Sequence, residues 1–228
     1  MLSAALLLAA LAQTAPPAAP AKPAPPAAPA APAAPEQGFT PLFNGKDLTG
    51  WVGDTAGYVV ENGAIVCGPK GTNLFTAGEY SNFTLRFEFQ LSAGANNGIG
   101  IRAPLEGDAA YAGMEVQVLD SDDARYKDWL KPWQRHGSIY GVVAAKPTGM
   151  KPIGEWNSEE IKVTGRHVTV TLNGAVIVDA DLDEATRNGT LDGKPHPGLA
   201  RTSGHIGFLG HGDRVAYRNI RVKPEAGT

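Results

Sequence analysis

From Phe83 to Leu91 the chain alternates without interruption, setting Phe83, Leu85, Phe87, Phe89 and Leu91 against Thr84, Arg86, Glu88 and Gln90. A period of two places all the large apolar groups on one face, as in a strand that buries one side and wets the other. The period returns at Ile99 and Ile101, at Met114, Val116 and Val118, at Val168, Val170 and Leu172, and from Val215 to Val222. Turn residues break it every ten residues or so, and only 122–134 and 183–188 have the composition of short helices. The expectation is an all-β chain folded as a sandwich or barrel. The clearest hairpin is at Asn173-Gly174, whose residue types suit a type I′ turn.

The ends and the overall charge narrow the function classes. An apolar run over 2–11, followed by small residues, is too short to span a membrane and suits a secretory signal ending near residue 15. The expected destination is the periplasm or the exterior, and no membrane span is expected. Residues 16–36 are almost wholly Ala and Pro and hold nine of the chain's 18 prolines. That composition reads as an extended linker before a folded domain over 37–225. Lys and Arg total 20 against 23 Asp and Glu, so the basic surface that nucleic acid requires is missing. The single cysteine, Cys67, excludes an internal disulfide and reads as a small buried hydrophobe.

The stretch Tyr-Ala-Gly-Met-Glu-Val-Gln-Val-Leu-Asp, 111–120, is the candidate site strand, since Met114, Val116 and Val118 point one way while Glu115 and Gln117 point the other. A carboxylate beside a carboxamide can hydrogen-bond a polyhydroxylated ligand, so carbohydrate is the expected partner. Alternation puts Arg102 opposite Ile99 and Ile101, on a face it would share with Glu115; the competing reading is a structural ion pair across adjacent strands. His136 can titrate near neutral pH, and Tyr140, four residues on, can hydrogen-bond or stack on a sugar. His211 lies between glycines that permit close approach of a ligand. Trp129 and Trp133 sit in a polar loop and are candidates for the rim of a saccharide cleft, whereas Trp156 reads as core and His167 and His196 as surface histidines. Asp120 and Asp122 belong to a loop cluster of the kind that takes a divalent cation such as calcium, although a solvated acidic turn is the commoner use. Asp120 is five residues from Glu115 and falls on the other face, so the two do not form a facing carboxyl pair.

The segments PLFNGKDLTGW (41–51), MEVQVLD (114–120), GEWN (154–157) and YRNI (217–220), in that order, closely resemble the 3-keto-disaccharide hydrolase domain family over about residues 39–223. The resemblance implies a concanavalin A-like jelly roll of two antiparallel sheets, exported by bacteria, that cleaves glycosides oxidised at C3. A C3 ketone acidifies the C2 proton, and its loss lets the substituent at C1 depart; water added back gives net hydrolysis. On that chemistry Glu115 is the candidate base or metal ligand, Arg102 the enolate or hydroxyl clamp, His136 an acid or base, and Gln117, Tyr140, Trp129, Trp133 and His211 hold sugar. The competing readings are a carbohydrate-binding module that breaks no bond and, last, an ordinary two-carboxylate glycosidase, for which no second acid falls opposite Glu115.

Overall fold

A computed structural model of the protein describes residues 36–225. The expected signal and nearly all of the linker lie outside the described residues. Within them the chain forms β1 (Thr40–Pro41), β2 (Trp51–Gly53), β3 (Tyr58–Glu61), β4 (Ala64–Cys67), β5 (Asn73–Tyr80), β6 (Phe83–Leu91) and β7 (Asn96–Ala103). A short helix α1 (Ala109–Ala112) precedes β8 (Met114–Leu119), and a long irregular stretch leads to β9 (Asn157–Thr164), β10 (His167–Leu172) and β11 (Ala175–Asp181). Helix α2 (Leu182–Ala185), β12 (Gly204–Leu209) and β13 (Val215–Pro224) complete the order. The expected helix over 122–134 is a run of turns closing in a single 3-10 turn, Pro132–Gln134.

The strands make two antiparallel sheets. The larger runs β11-β10-β9-β6-β13-β4-β3, with β1 paired to β13; the smaller runs β2-β5-β12-β7-β8. Their facing sides supply one core that includes Phe83, Leu85, Phe87 and Phe89 from one sheet and Ile99, Ile101, Val116, Val118 and Phe208 from the other. Strand β6 thus buries the apolar face that its alternation predicts. At the β10–β11 hairpin both Asn173 (φ 48°) and Gly174 (φ 86°) take the left-handed backbone that a type I′ turn needs.

Aromatic stacking ties the sheets together. Trp51 of β2 stacks on Phe208 of β12 with ring centroids 5.0 Å apart, and Phe208 stacks in turn on Tyr217 of β13 at 3.9 Å. The Tyr217 hydroxyl then reaches back across the core to donate to Asn97 Oδ1 of β7, at 2.8 Å. Strict alternation through β13 would turn Ile220 outward if Tyr217 faces in. A bulge with Asn219 at φ 52° shifts the phase, so that Tyr217, Ile220 and Val222 are all buried. Trp156 departs from the core expectation: it is half-buried on the outer face of the larger sheet, under the Arg218 guanidinium at 3.9 Å. Cys67 is buried and free. Among the described residues no helix is long and apolar enough to cross a membrane.

Replacing Tyr217 with Phe keeps the stacked ring but leaves the buried Asn97 amide without its hydroxyl. Urea unfolding is expected to show a loss of about 1–3 kcal/mol, the cost of stranding a buried polar group.

Candidate functional site

Strands β7 and β8 pair with Gly98 opposite Gln117 and Gly100 opposite Glu115. Ile99, Val116 and Val118 take the core side, leaving Asn96, Gly98, Glu115 and Gln117 on the outward face. The free edge of β8 is extended by 137–140: Gln117 donates from its backbone to Ser138 O, and Tyr140 donates to Glu115 O at 2.9 Å. That register sets Tyr140 beside Glu115. The loop after β8 and helix α1 rise around this patch and close a cleft of about 450 Å³. Glu115, Gln117, Tyr140, Trp129 and His211 all line it, together with Asp108, Tyr111, Asn73, Asn96 and Tyr126.

Glu115 occupies its floor. The residue is 5 % exposed, and its Oε1 has no hydrogen-bonding partner in the protein. Removal from water, reinforced by the negative charge of Asp108, pushes its carboxyl up to about 8. Burial therefore favours its protonated form near neutral pH. The carboxyl lies flat because strand β7 has no side chain beneath it: a methyl group on Gly98 would overlap Glu115 Oε1 and stand 2.6 Å from Cγ and Cδ. Gln117 is held beside it, its Nε2 donating to Asn96 Oδ1 at 2.7 Å. Asp108 caps helix α1, accepting from the Ala110 amide, and remains exposed on the cleft wall. His211, exposed at the mouth, has its imidazole held below the usual value by partial desolvation, which outweighs the opposing pull of Asp213 and Asp108.

A second wall is built on Tyr111. Its hydroxyl donates to Asp192 Oδ2 at 3.2 Å and accepts from Lys194 Nζ at 3.1 Å. Its ring packs on His196 at 4.6 Å and stands edge-on to Tyr140 at 6.3 Å. Burial raises the Asp192 carboxyl, but the Lys194 amide and His196 more than offset that and leave it lowered overall. His196 is thus not a surface histidine: its side chain is buried and its Nε2 is 3.2 Å from Asp192 Oδ2. His167 is the exposed one, paired with Asp179.

Several expected site residues lie elsewhere. The Glu115–Arg102 pair does not form, because Arg102 adopts φ 50° just past the last β7–β8 partner and leaves the alternation. Its guanidinium is buried and donates to Ser81 O, Gly165 O, Arg201 O and Asn82 Oδ1, bracing three loops. His136 turns inward between the sheets. Its Nε2 is 3.2 Å from Glu159 Oε2, its ring lies 5.2 Å from that of Phe89, and it lines a separate, smaller cavity. Trp133 does not line the cleft but stands edge-on behind Tyr140 at 5.2 Å. Asp120 accepts from the Gly94 amide at 2.8 Å and so anchors a loop, while Asp122 is exposed beside Arg135 at 3.5 Å. Among the described residues no three His, Cys, Asp or Glu side chains gather as a metal-holding group.

Asp108, Tyr111, Asn73 and Asn96 escaped the reading of the sequence. Asp108 carried one usable signal, an Asp directly before Ala-Ala, where a helix N-cap is expected. Its presence also removes the ground for ranking a two-carboxylate site last, because Asp108 and Glu115 share the cleft.

A two-sheet sandwich that gathers acids, amides and aromatic rings in one outward cleft has the lining that a carbohydrate ligand requires. Residues 38–223 match the 3-keto-α-glucoside-1,2-lyase-like domain, and the chain belongs to that family. A 3-keto-disaccharide hydrolase of Bacteroides thetaiotaomicron is 29 % identical over 82 % of this chain and 78 % of its own. The crystal structure of a Parabacteroides distasonis protein provisionally assigned as a glycosyl hydrolase superposes with a TM-score of 0.72 at 29 % identity, covering 83 % of this chain and 95 % of that one. A Bacillus subtilis protein with a galectin-like fold superposes with a TM-score of 0.52 at 13 % identity, covering 83 % of this chain and 96 % of that one.

Two substitutions separate site from scaffold. Gly98→Ala is expected to displace the Glu115 carboxyl, the flexible partner in that clash, and to lower kcat roughly 10²-fold while the melting temperature holds. Arg102→Met is expected to do the reverse, costing about 3 kcal/mol or more in chemical denaturation while the folded fraction keeps its specific activity.

Proposed function

We propose that the cleft cleaves the glycosidic bond of glycosides whose sugar carries a ketone at C3, by removing the C2 proton and expelling the C1 substituent. The observation that carries this reading is the buried Glu115 carboxyl, its Oε1 without a partner, on the floor of a cleft that also holds Asp108 and His211; burial favours the uncharged form of both Glu115 and His211. Elimination next to a ketone needs both a base and a proton donor, and the environments of these groups separate the two roles. His211, neutral at physiological pH, takes the C2 proton. The electron pair left on C2 is delocalised onto the C3 oxygen as an enolate; when the ketone re-forms, a C1=C2 double bond forms and the C1–O bond breaks. Glu115 gives its proton to the departing oxygen and becomes a carboxylate, beside which Gln117 and Asn96 offer amide groups to the sugar hydroxyls. Water then adds oxygen at C1 and a proton at C2, giving net hydrolysis and returning the sugar to its 3-keto form.

This assignment reverses one expectation. A carboxyl raised to about 8 is a donor, so Glu115 serves as the acid and the base must lie elsewhere. The relatives' names support the substrate class, and the apolar leader over 2–11 supports action outside the cytoplasm. A second reading, a glycosidase acting on unoxidised sugar, is favoured by the two carboxyl groups, Asp108 and Glu115, in one cleft.

Purified protein incubated with a 3-keto glucoside and with the parent glucoside decides between them. Release from the keto substrate alone supports the proposal; release from the parent supports the two-carboxylate reading; binding without release from either would sink both. Activity is expected to rise as His211 loses its proton below the usual histidine range and to fall as Glu115 loses its own near pH 8. Glu115→Gln should lower kcat/KM roughly 10²- to 10⁴-fold and abolish the alkaline limb of the residual profile. The same variant reports on stability. A carboxyl with a raised folded-state value stabilises the fold fully below its unfolded value and loses that contribution as pH climbs through about 8. Glu115→Gln should therefore melt above the parent at pH 9 and close to it at pH 4.

A further inference from the structure

Trp129 is 56 % exposed at the mouth of the cleft, a large apolar surface that the fold alone does not require. It is nevertheless fixed. Its indole Nε1 donates to Arg125 O at 2.5 Å, and its ring stands edge-on to Tyr126 at 6.0 Å. The Tyr126 hydroxyl donates to Gly94 O at 3.1 Å, and the Arg125 guanidinium donates to the same carbonyl. Asp120 accepts from the Gly94 amide, so three residues of the loop clamp one glycine in the turn before β7. Gly94 has φ 64°, and a methyl group there would overlap Arg125.

The rim therefore differs chemically from the floor. At the floor, Glu115, Gln117, Asn96 and Asn73 present polar groups to a hydroxylated ring. Where 126–130 forms the rim, the donor hydrogens of Trp129 and Tyr126 are committed to backbone carbonyls and Leu130 adds only hydrocarbon, the polar groups of Gln134 and His211 lying elsewhere along the lining. We propose that Trp129 and Tyr126 form a leaving-group subsite that takes a ring-shaped aglycone by stacking on its flat face and donates no hydrogen bond to its hydroxyls. This rests on the cleavage reaction proposed above and specifies its substrates: leaving groups with a flat C–H or π face, a second pyranose or an aryl alcohol, are favoured over a small alkyl group. An immobilised indole offers stacking at little ordering cost, and a face without free donors does not discriminate one ring from another.

The test compares 3-keto glucosides bearing methyl, phenyl and glucosyl leaving groups, in the parent and in Trp129→Ala, as full-length protein. The parent's preference in kcat/KM for the two ring-bearing substrates over the methyl one is expected to fall roughly 5- to 10-fold in Trp129→Ala, through KM, and to return in Trp129→Phe. Loss for phenyl alone would restrict the subsite to aryl groups and overturn its indifference to ring type. An equal loss for all three substrates, or an unchanged preference, would overturn the subsite altogether. If the parent cleaves none of the three, the reaction assignment has failed and not the subsite, which is then decided by calorimetry with methyl and phenyl β-glucoside. Tighter binding of the phenyl compound that vanishes in Trp129→Ala upholds it, and equal binding in parent and variant overturns it.

Discussion

A buried hydrogen bond from Tyr217 to Asn97 links the two sheets beside the strand that underlies the cleft. Tyr217 belongs to the larger sheet and Asn97 to the smaller, so this bond, backed by the Trp51–Phe208–Tyr217 stack, fixes how the sheets meet. It reinforces the phase that buried Ile99 and Ile101 give β7: with Asn97 also in the core, its neighbours Asn96 and Gly98 face outward. Gly98 leaves a bare strip of backbone, and the Glu115 carboxyl from β8 lies over it. The buried face of β7 thereby determines where the cleft has its floor.

Electrostatics follow from that floor. A carboxyl pressed against backbone, without a cation or a donor on its Oε1, is more stable uncharged, and the nearby negative charge of Asp108 strengthens the preference. The only arginine that alternation offered as its counter-charge is engaged by carbonyls of three other loops. Had Arg102 stayed in register, Glu115 would be an ordinary ion-paired carboxylate and a poor proton donor. The diversion of Arg102 by its left-handed backbone is thus as important to the site as any residue in it.

The cleft also divides the protein's acidic and aromatic groups by use. Asp120 holds a loop, Asp192 holds Tyr111 and His196, and Glu159 faces His136 between the sheets, whereas Asp108 and Glu115 alone among these carboxyl groups line the cleft. Trp51 is core, Trp156 covers an outer face, Trp133 backs Tyr140, and Trp129 meets solvent. Residue type alone does not distinguish these uses, because each depends on which loop arrives opposite.

Local periodicity and its consequences are legible in the order of residues: the all-β class, the span of β6, the Asn173-Gly174 turn, and the placing of Glu115 and Gln117 on the face opposite Met114, Val116 and Val118. Alternation is a property of neighbouring residues, so it can be read without knowing the partners. Four short segments in order were also enough to indicate the family. Only the tertiary structure decided that Arg102 and His136 turn away, that the bulge at Asn219 shifts β13, and that Asp108, Tyr111 and Asn73 join Glu115 from separate elements. The charge of Glu115 was decided there as well. A side chain's protonation depends on the water removed from around it and the charges brought near, and those are set by how separate strands and loops pack together.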